Sequence, residues 1–561
     1  MSSAAMAATL PETAPAASSA SSDARFWPLV ALVVLLVVQA SMTFTRAINW
    51  DEFFFYHQVA AFAEGELDSP LQTFNTRIFF WLPGLFGSNV DHIVAARLVM
   101  MLFEIGTLAG LYVIARRFTD CATAVFVPLL YLSAGYVLQH GMSFRVDPMA
   151  ACLLVGALAV LVRSKLDWKS IVLFGLFAGI AGMVTIKAVL YLPAFAAIAT
   201  MRLLNAQKKR GTFVRIAACG IAALACFAAL FFWHSSAVTG GSQSVNAPPS
   251  LLADSLSWMF FLGLPPYGSM AVKAMMLAPI FTIAVIAAPF LLKRSERSLP
   301  EKIALLGLWF PVFTPFFYTN SAAYLYAYIL APVAVGCVPA LEWARRRLSG
   351  VLITAALAGI ALSVFAVEDR QIIDRQRQLE SNVRELFPQP VTYFDHNFMM
   401  GSWPKANRFM TPWGMHRYRS GGESVYRMAM ERETVPLLLG NWEGIHAFMQ
   451  HGDDGVLLPP DTAALRENYV AVSPFIYAAG KQFDAGASLS EVEFLVPGEY
   501  SVLDNAITLD GQRHEIGERV QIDRGKYAVE VDASADASLV WSSAAGGPRE
   551  PLSQGPIFVG F

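Results

Sequence analysis

Charge is scarce in this sequence. Only 15% of its 561 residues are Asp, Glu, Lys or Arg, against 55% hydrophobic, and the mean hydropathy is +0.47. Soluble domains carry about 25% charged residues, so an ordinary soluble chain is excluded and a membrane protein is indicated. Neither sign prevails, and the net charge of −2 leaves no basic face for nucleic acid, which is excluded as a partner. Cysteine is scarce too. Cys121, Cys152, Cys219, Cys226 and Cys337 all precede residue 340 in apolar surroundings. None has metal-ligand spacing, and none can staple the C-terminal part. No internal repeat is visible. The N-terminus also lacks the short basic start of a signal peptide. Residues 1–25, rich in Ala, Ser and Pro, are expected to be a disordered cytoplasmic tail. The run Phe26 to Thr45 then reads as an uncleaved anchor, although "VQAS" resembles a cleavage site.

Long apolar runs are what the chain does have. A membrane span needs about twenty predominantly apolar residues. About eleven candidates fall near 26–46, 92–115, 121–140, 148–162, 170–187, 189–204, 214–233, 270–292, 303–318, 323–342 and 350–367. Basic residues of short loops mark the cytoplasmic side. They cluster in alternate connections: Arg116 and Arg117; Arg163, Lys165 and Lys169; Arg202 and Lys208 to Arg210; Lys293, Arg294, Arg297 and Lys302; Arg345 to Arg347. On the opposite side Arg77, Arg145 and Lys187 stand alone, and the loop 234–268 has no basic residue. The expected topology is a multi-pass α-helical domain, 26–367, in a plasma (bacterial inner) membrane. Its N-terminus is cytoplasmic, its first outer loop spans 47–91, and residues 368–561 lie in the periplasm or outside. That tail starts with a polar helix, "EDRQIIDRQRQLESNVRELF". Residues 368–489 alternate short apolar runs with helical stretches, an α/β pattern. Residues 490–561 ("EVEFLVPGEYSV", "KYAVEVDASA") carry the alternation and turn residues of a β-sandwich.

The outer face holds the chemistry. "WDEFFFY" sets Asp51 and Glu52 among rings directly after the first run. One reading is structural: Asn49 as N-cap and Glu52 closing a capping box, with the rings in the membrane interface. A functional reading gathers the other outer residues. "MSFRVDPMA" puts Arg145 and Asp147 at one outer mouth, and "TIKAVLYLP" puts Lys187 between two spans. There a charge facing lipid costs roughly 2.5–3.5 kcal/mol. "YTNSAAYLYAYILAP" puts Tyr318, Tyr324, Tyr326 and Tyr328 at a third mouth. Carboxylates serve as general base or metal ligands, lone cations suit a phosphate leaving group, and phenols hydrogen-bond phosphate or sugar. A lipid phosphate, tail in the bilayer and head in this vestibule, would use all three. Arg145–Asp147 also reads as a structural ion pair, and Lys187 as a side chain reaching for the interface. In "FDHNF" the pair Asp395–His396 has no visible third partner and reads as structural.

Asp51–Glu52 in the first outer loop, the "RVDP" mouth, Lys187 before "YLP" and the Tyr-rich segment entering "ILAP" together resemble the GT-C membrane glycosyltransferases. The closest branch looks like that of the protein O-mannosyltransferases and the lipid A aminoarabinose transferase. The resemblance covers about residues 26–367. It implies a polyprenyl- or dolichyl-phosphate sugar donor and inverting transfer to an extracytoplasmic acceptor (glycolipid, polysaccharide or protein). It also implies Asp51 as general base, with Glu52 beside it in sugar or metal binding. Arg145 and Lys187 become phosphate contacts, Asp147 a second acid at the site, and Tyr326, with Tyr324 near it, the family tyrosine. The basic residue that often precedes that tyrosine is missing. Some GT-C branches use a divalent metal and others do not, so the cofactor stays open; a metal would sit on Asp51 and Glu52. The alternative function is a transporter or flippase for a polyprenyl-linked sugar, with the same charges along a pathway.

The basic loops generate a direct test. A cysteine placed in 368–561 should react with an impermeant thiol reagent in spheroplasts; labelling only after the membrane is lysed would overturn the topology.

Overall fold

The first apolar run folds as the helix Ser19–Thr45, which starts inside the expected disordered tail. A computed structural model describes residues 19–85, 87–238, 259–407, 412–452, 455–553 and 555–559. The rest of the expected tail, 1–18, and most of the outer loop 234–268 lie outside the described residues. Among the described residues five helices are long and apolar enough to cross a membrane: Arg25–Thr45, Asn89–Ala115, Val146–Arg163, Ile186–Leu204 and Lys209–Ser235. Two sharply bent pairs raise the number to seven.

The remaining apolar runs of the sequence are broken or short, so about eleven runs yield fewer full spans. Cys121–Leu132 stops at Ser133, and the chain resumes as the short helix Gly135–His140. Leu299–Trp309 passes into the 3-10 turn Phe310–Phe316, where Pro311 and Pro315 supply no N–H to continue an α-helix. Gly268–Met276 and Pro279–Arg294 meet at 100°. Trp168–Val184 and Gly350–Ala366 are apolar but only 17 residues each. The run 170–204 does divide, as expected, into two closely joined helices at Thr185.

Small residues let these helices approach, the usual solution where lipid provides no hydrophobic drive between them. Gly175 and Gly179 of Trp168–Val184 face Ala222 and Cys226 of Lys209–Ser235. Gly307 lies against Leu192–Leu204, where an added Cβ would meet the Ala197 Cβ at 2.0 Å and the Pro193 carbonyl at 2.8 Å.

The polar helix Ile372–Leu386 does not leave the membrane domain; it returns to the first outer loop. Gln376 both accepts from the Ile48 N–H and donates to the Ile48 carbonyl, at 2.9 and 2.8 Å. Glu380 accepts from the N–H groups of Asn89 and Val90, a carboxylate at a helix N-terminus where the dipole favours it.

Eleven strands follow among the described residues: β1 Tyr393–Phe394, β2 Leu437–Leu439, β3 Tyr469–Ser473, β4 Ile476–Phe483, β5 Ser488–Phe494, β6 Gly498–Leu503, β7 Ile507–Leu509, β8 Gln512–His514, β9 Arg519–Ile522, β10 Gly525–Val531 and β11 Ala537–Trp541. One sheet runs β1-β2-β4-β11-β6-β9, with β3 also on β4; the other runs β5-β10-β7-β8. The expected boundary at 489–490 falls inside β5, and β4 pairs with β11 across it. Val502 and Leu539 of the first sheet share a core with Leu509 and Val529 of the second. Among the described strands, β1 and β2 alone pair in parallel.

The close approach at Gly307 generates a paired test in detergent. Gly307→Ala overpacks a helix contact, which costs about 1–3 kcal/mol, and should lower the melting midpoint. Gly220→Ala, with nothing within 4 Å, should leave or raise it.

Candidate functional site

The helix Trp50–Glu64 starts as the sequence indicates. Asn49 is extended and its side chain accepts from the Asp51 N–H at 3.0 Å, while Glu52 accepts from the Asn49 N–H at 3.0 Å. The two acids then part. Glu52 points inward, 1% exposed, and receives Arg97 Nη2 at 2.6 Å and Nε at 2.8 Å. The Phe144 N–H also donates to it, at 2.7 Å. Burial works against its charge, but Arg97 and the two backbone donors outweigh that and hold its pKa below the ordinary value. Every Glu52 oxygen is committed. Glu52, expected beside Asp51 at the site, is thus tied by both oxygens into the surrounding scaffold.

Asp51 points to the other side and keeps 20% of its side chain exposed. It pairs with Arg145 Nη1, which the Glu52–Phe144 bond brings into place. Arg145 precedes the helix Val146–Arg163 in extended conformation, and its Nε donates to Asp147 Oδ2 at 3.3 Å. The other Asp147 oxygen accepts from Lys187 Nζ at 2.6 Å. Burial opposes the Arg145 charge; Asp51, Tyr324 and Asp147 more than offset it and raise its pKa.

Lys187 is not a lone charge, as the sequence suggested. It lies on the 3-10 turn Ile186–Tyr191, and its carbonyl accepts from the Tyr328 hydroxyl at 2.8 Å. Tyr324 joins the cluster by its ring: Arg145 Cζ is 3.3 Å and Lys187 Nζ 5.1 Å from the centroid, and its hydroxyl donates to Asn320. Four of the expected site residues, Asp51, Arg145, Asp147 and Lys187, thus form one neutral chain of ion pairs roofed by Tyr324. Tyr326 is not among them. Two residues on along the same helix it faces away, its ring 5.5 Å from that of Tyr136, and its buried hydroxyl has no partner among the described residues.

A cavity of about 40 Å³, which the sequence did not disclose, is lined by Glu52 and by none of the four ion-paired residues. Asn49, Glu52, Arg46, Tyr136 and Lys273 line it, and Val559 reaches it from the C-terminus. The Tyr136 hydroxyl has no partner among the described residues, and Lys273 forms no ion pair among them. Arg46 is neutralised by Glu368. Arg97 was also missed. A single arginine inside the apolar run "HIVAARLVM" was its available signal, since intramembrane charges rarely lack a role.

A metal clamp on Asp51 and Glu52 does not fit. The two carboxylates take different arginines, Arg145 and Arg97, and Glu52 has no free oxygen for a cation. Among the described residues no group of three or more His, Cys, Asp or Glu side chains suits a metal.

Removing one partner of a buried pair strands a charge, at about 3–5 kcal/mol. Glu52→Leu and Arg97→Met should each lower the detergent melting midpoint strongly, while the double change Glu52→Leu with Arg97→Met should cost less than their sum. Additive losses would remove the pair from the account.

No family model matches the chain, and no curated protein sequence matches it. Solved structures do. ArnT from Cupriavidus metallidurans bound to undecaprenyl phosphate superposes with a TM-score of 0.53 at 13% identity, covering 74% of this chain and 93% of that one. The Archaeoglobus fulgidus oligosaccharyltransferase tethered with an acceptor peptide gives 0.51 at 11% identity, over 90% and 94%. The same organism's oligosaccharyltransferase AglB in complex with an inhibitory peptide and a dolichol-phosphate gives 0.50 at 12% identity. Identities this low speak for architecture alone: the chain shares the fold of ArnT and of the Archaeoglobus fulgidus oligosaccharyltransferase.

Proposed function

We propose that this protein is an inverting glycosyltransferase of the bacterial inner membrane. It moves a sugar from a polyprenyl-phosphate donor to a hydroxyl of a periplasmic acceptor. Asp51 carries the reading: a partly exposed carboxylate at the outer membrane edge, held by the buried Arg145 in a cluster with Asp147 and Lys187. The undecaprenyl phosphate and dolichol-phosphate bound in structures of the same fold support a lipid-phosphate donor.

The Asp51 carboxylate takes the acceptor hydroxyl proton as that oxygen attacks the anomeric carbon. The bond from that carbon to the phosphate oxygen breaks, and the lipid phosphate leaves with the electron pair. Attack from the face opposite the phosphate inverts the anomeric centre. Asp51 ends protonated and returns its proton to water.

The donor phosphate adds a negative charge to a cluster that is already neutral. The cavity lined by Glu52 offers what it needs: Lys273 without an ion-pair partner among the described residues, and the unpartnered Tyr136 hydroxyl with Tyr326 behind it. Arg145 can exchange Asp51 for the phosphate, which frees the base when the donor is in place. Lys187 neutralises Asp147 and so fixes Arg145. A transport pathway gains no support from charges that pair off at one outer mouth.

Asp51→Asn keeps the size of the side chain and removes its basicity. Transfer should fall on the order of 10²–10⁴ at equal folded protein, whereas a result within about threefold of wild type would overturn the base. Lys273→Ala should raise KM for the lipid donor with kcat little changed, the pattern of lost ground-state binding.

A further inference from the structure

The parallel pair β1 and β2 ends in two loops, Asp395 to Gly401 and Gly440 to Trp442, on the same edge. Ligands of sheet proteins favour the carboxyl ends of parallel strands. Here that edge meets the helix that carries Asp51. His396 stacks on Trp442 at 4.4 Å and 17°, and its ring meets Trp50, the residue before Asp51, edge-on at 6.2 Å. Phe398 packs on Phe54 at 5.5 Å and stacks on His57 at 4.3 Å.

The loop is held rigidly in this position. Asp395 accepts from the N–H groups of Phe398 and Met399 and pairs with Lys405 at 3.2 Å. Phe398 has φ +60°, a left-handed conformation that costs a bulky side chain free energy and persists where the surroundings enforce it. His57 bonds the Gly401 carbonyl at 2.7 Å. This is far more fixing than a loop that merely links strands requires.

We propose that this edge is the acceptor subsite and that it binds a neutral sugar ring. The inference rests on the transferase reading above and adds the class of acceptor. Three properties select a sugar. Trp50 and Trp442 are both half-buried, and flat aromatic faces suit the C–H faces of a pyranose. The charges cancel within the loop, since Asp395 and Lys405 pair with each other, and burial and Lys405 keep His396 neutral with a pKa of about 4. Asn397 is fully buried, and its amide nitrogen has no partner among the described residues, so a donor remains for a ligand hydroxyl. An extended peptide would instead add to the free edge of β1, but the Pro404–Ala406 segment already bonds Tyr393 on that edge. A polyanion would find no unpaired cation in this loop.

Saturation-transfer NMR on the full chain in detergent tests this with methyl α-glucopyranoside, methyl α-mannopyranoside and methyl α-galactopyranoside as probes. At least one should receive saturation at its ring C–H protons. Asp51→Asn should leave that signal in place while abolishing transfer, which separates this inference from the catalytic one. Trp442→Phe keeps a ring and should keep the signal; Trp442→Leu fills the space without one and should lower affinity about tenfold, with equal melting midpoints for the two. No saturation of any of the three probes, or equal binding by the Phe and Leu variants, would overturn the proposal.

Discussion

The buried ion pair of Glu52 with Arg97 is the contact on which the outer face depends. Both side chains are 1% exposed, so each charge would be prohibitive without the other. Through this pair the helix Trp50–Glu64 is tied to Asn89–Ala115, and through the Phe144 N–H the same carboxylate sets the turn before Val146–Arg163. Arg97 also donates to the carbonyls of Arg46 and Ala47, which closes the end of the first helix. One residue of the Asp–Glu pair builds the scaffold, and its neighbour is left facing the vestibule.

The second constraint is charge balance. Asp51, Arg145, Asp147 and Lys187 bring two charges of each sign into a place where water is largely excluded. The ring of Tyr324 covers both cations, a contact worth more when desolvated. A closed neutral set is stable at rest but has nothing to spare for an incoming anion. Lys273 and the phenol of Tyr136 instead line a cavity together, without an ion-pair or hydrogen-bond partner among the described residues.

The C-terminal part is more than an appendage. Gln376 and Glu380 bond the first outer loop and the start of Asn89–Ala115, and the loop after β1 grips the helix that carries Asp51 through His57 and Phe54. His57 and Gly401, 344 residues apart, thus meet here. Asp395, read from the sequence as structural, spends its carboxylate on the turn itself.

The sequence by itself determined the membrane class, the capping box at Asn49 and four members of the charged cluster. These follow from local rules: hydropathy, loop charge, and the rarity of Arg, Lys and Asp beside apolar runs. Only the tertiary structure decided which acid stays partly exposed. Asp51 and Glu52 are adjacent on a helix, so they point in different directions, but which direction is inward depends on where Arg97 arrives from another helix. It likewise decided between Tyr324 and Tyr326, two positions apart and on opposite faces, and it supplied Lys187 with Asp147 from 40 residues away. The number of full spans and the sheet shared across residues 489–490 escaped the sequence for the same reason. Breaks at Ser133 and Pro311, and the pairing of β4 with β11, are settled by long-range packing that no local pattern encodes.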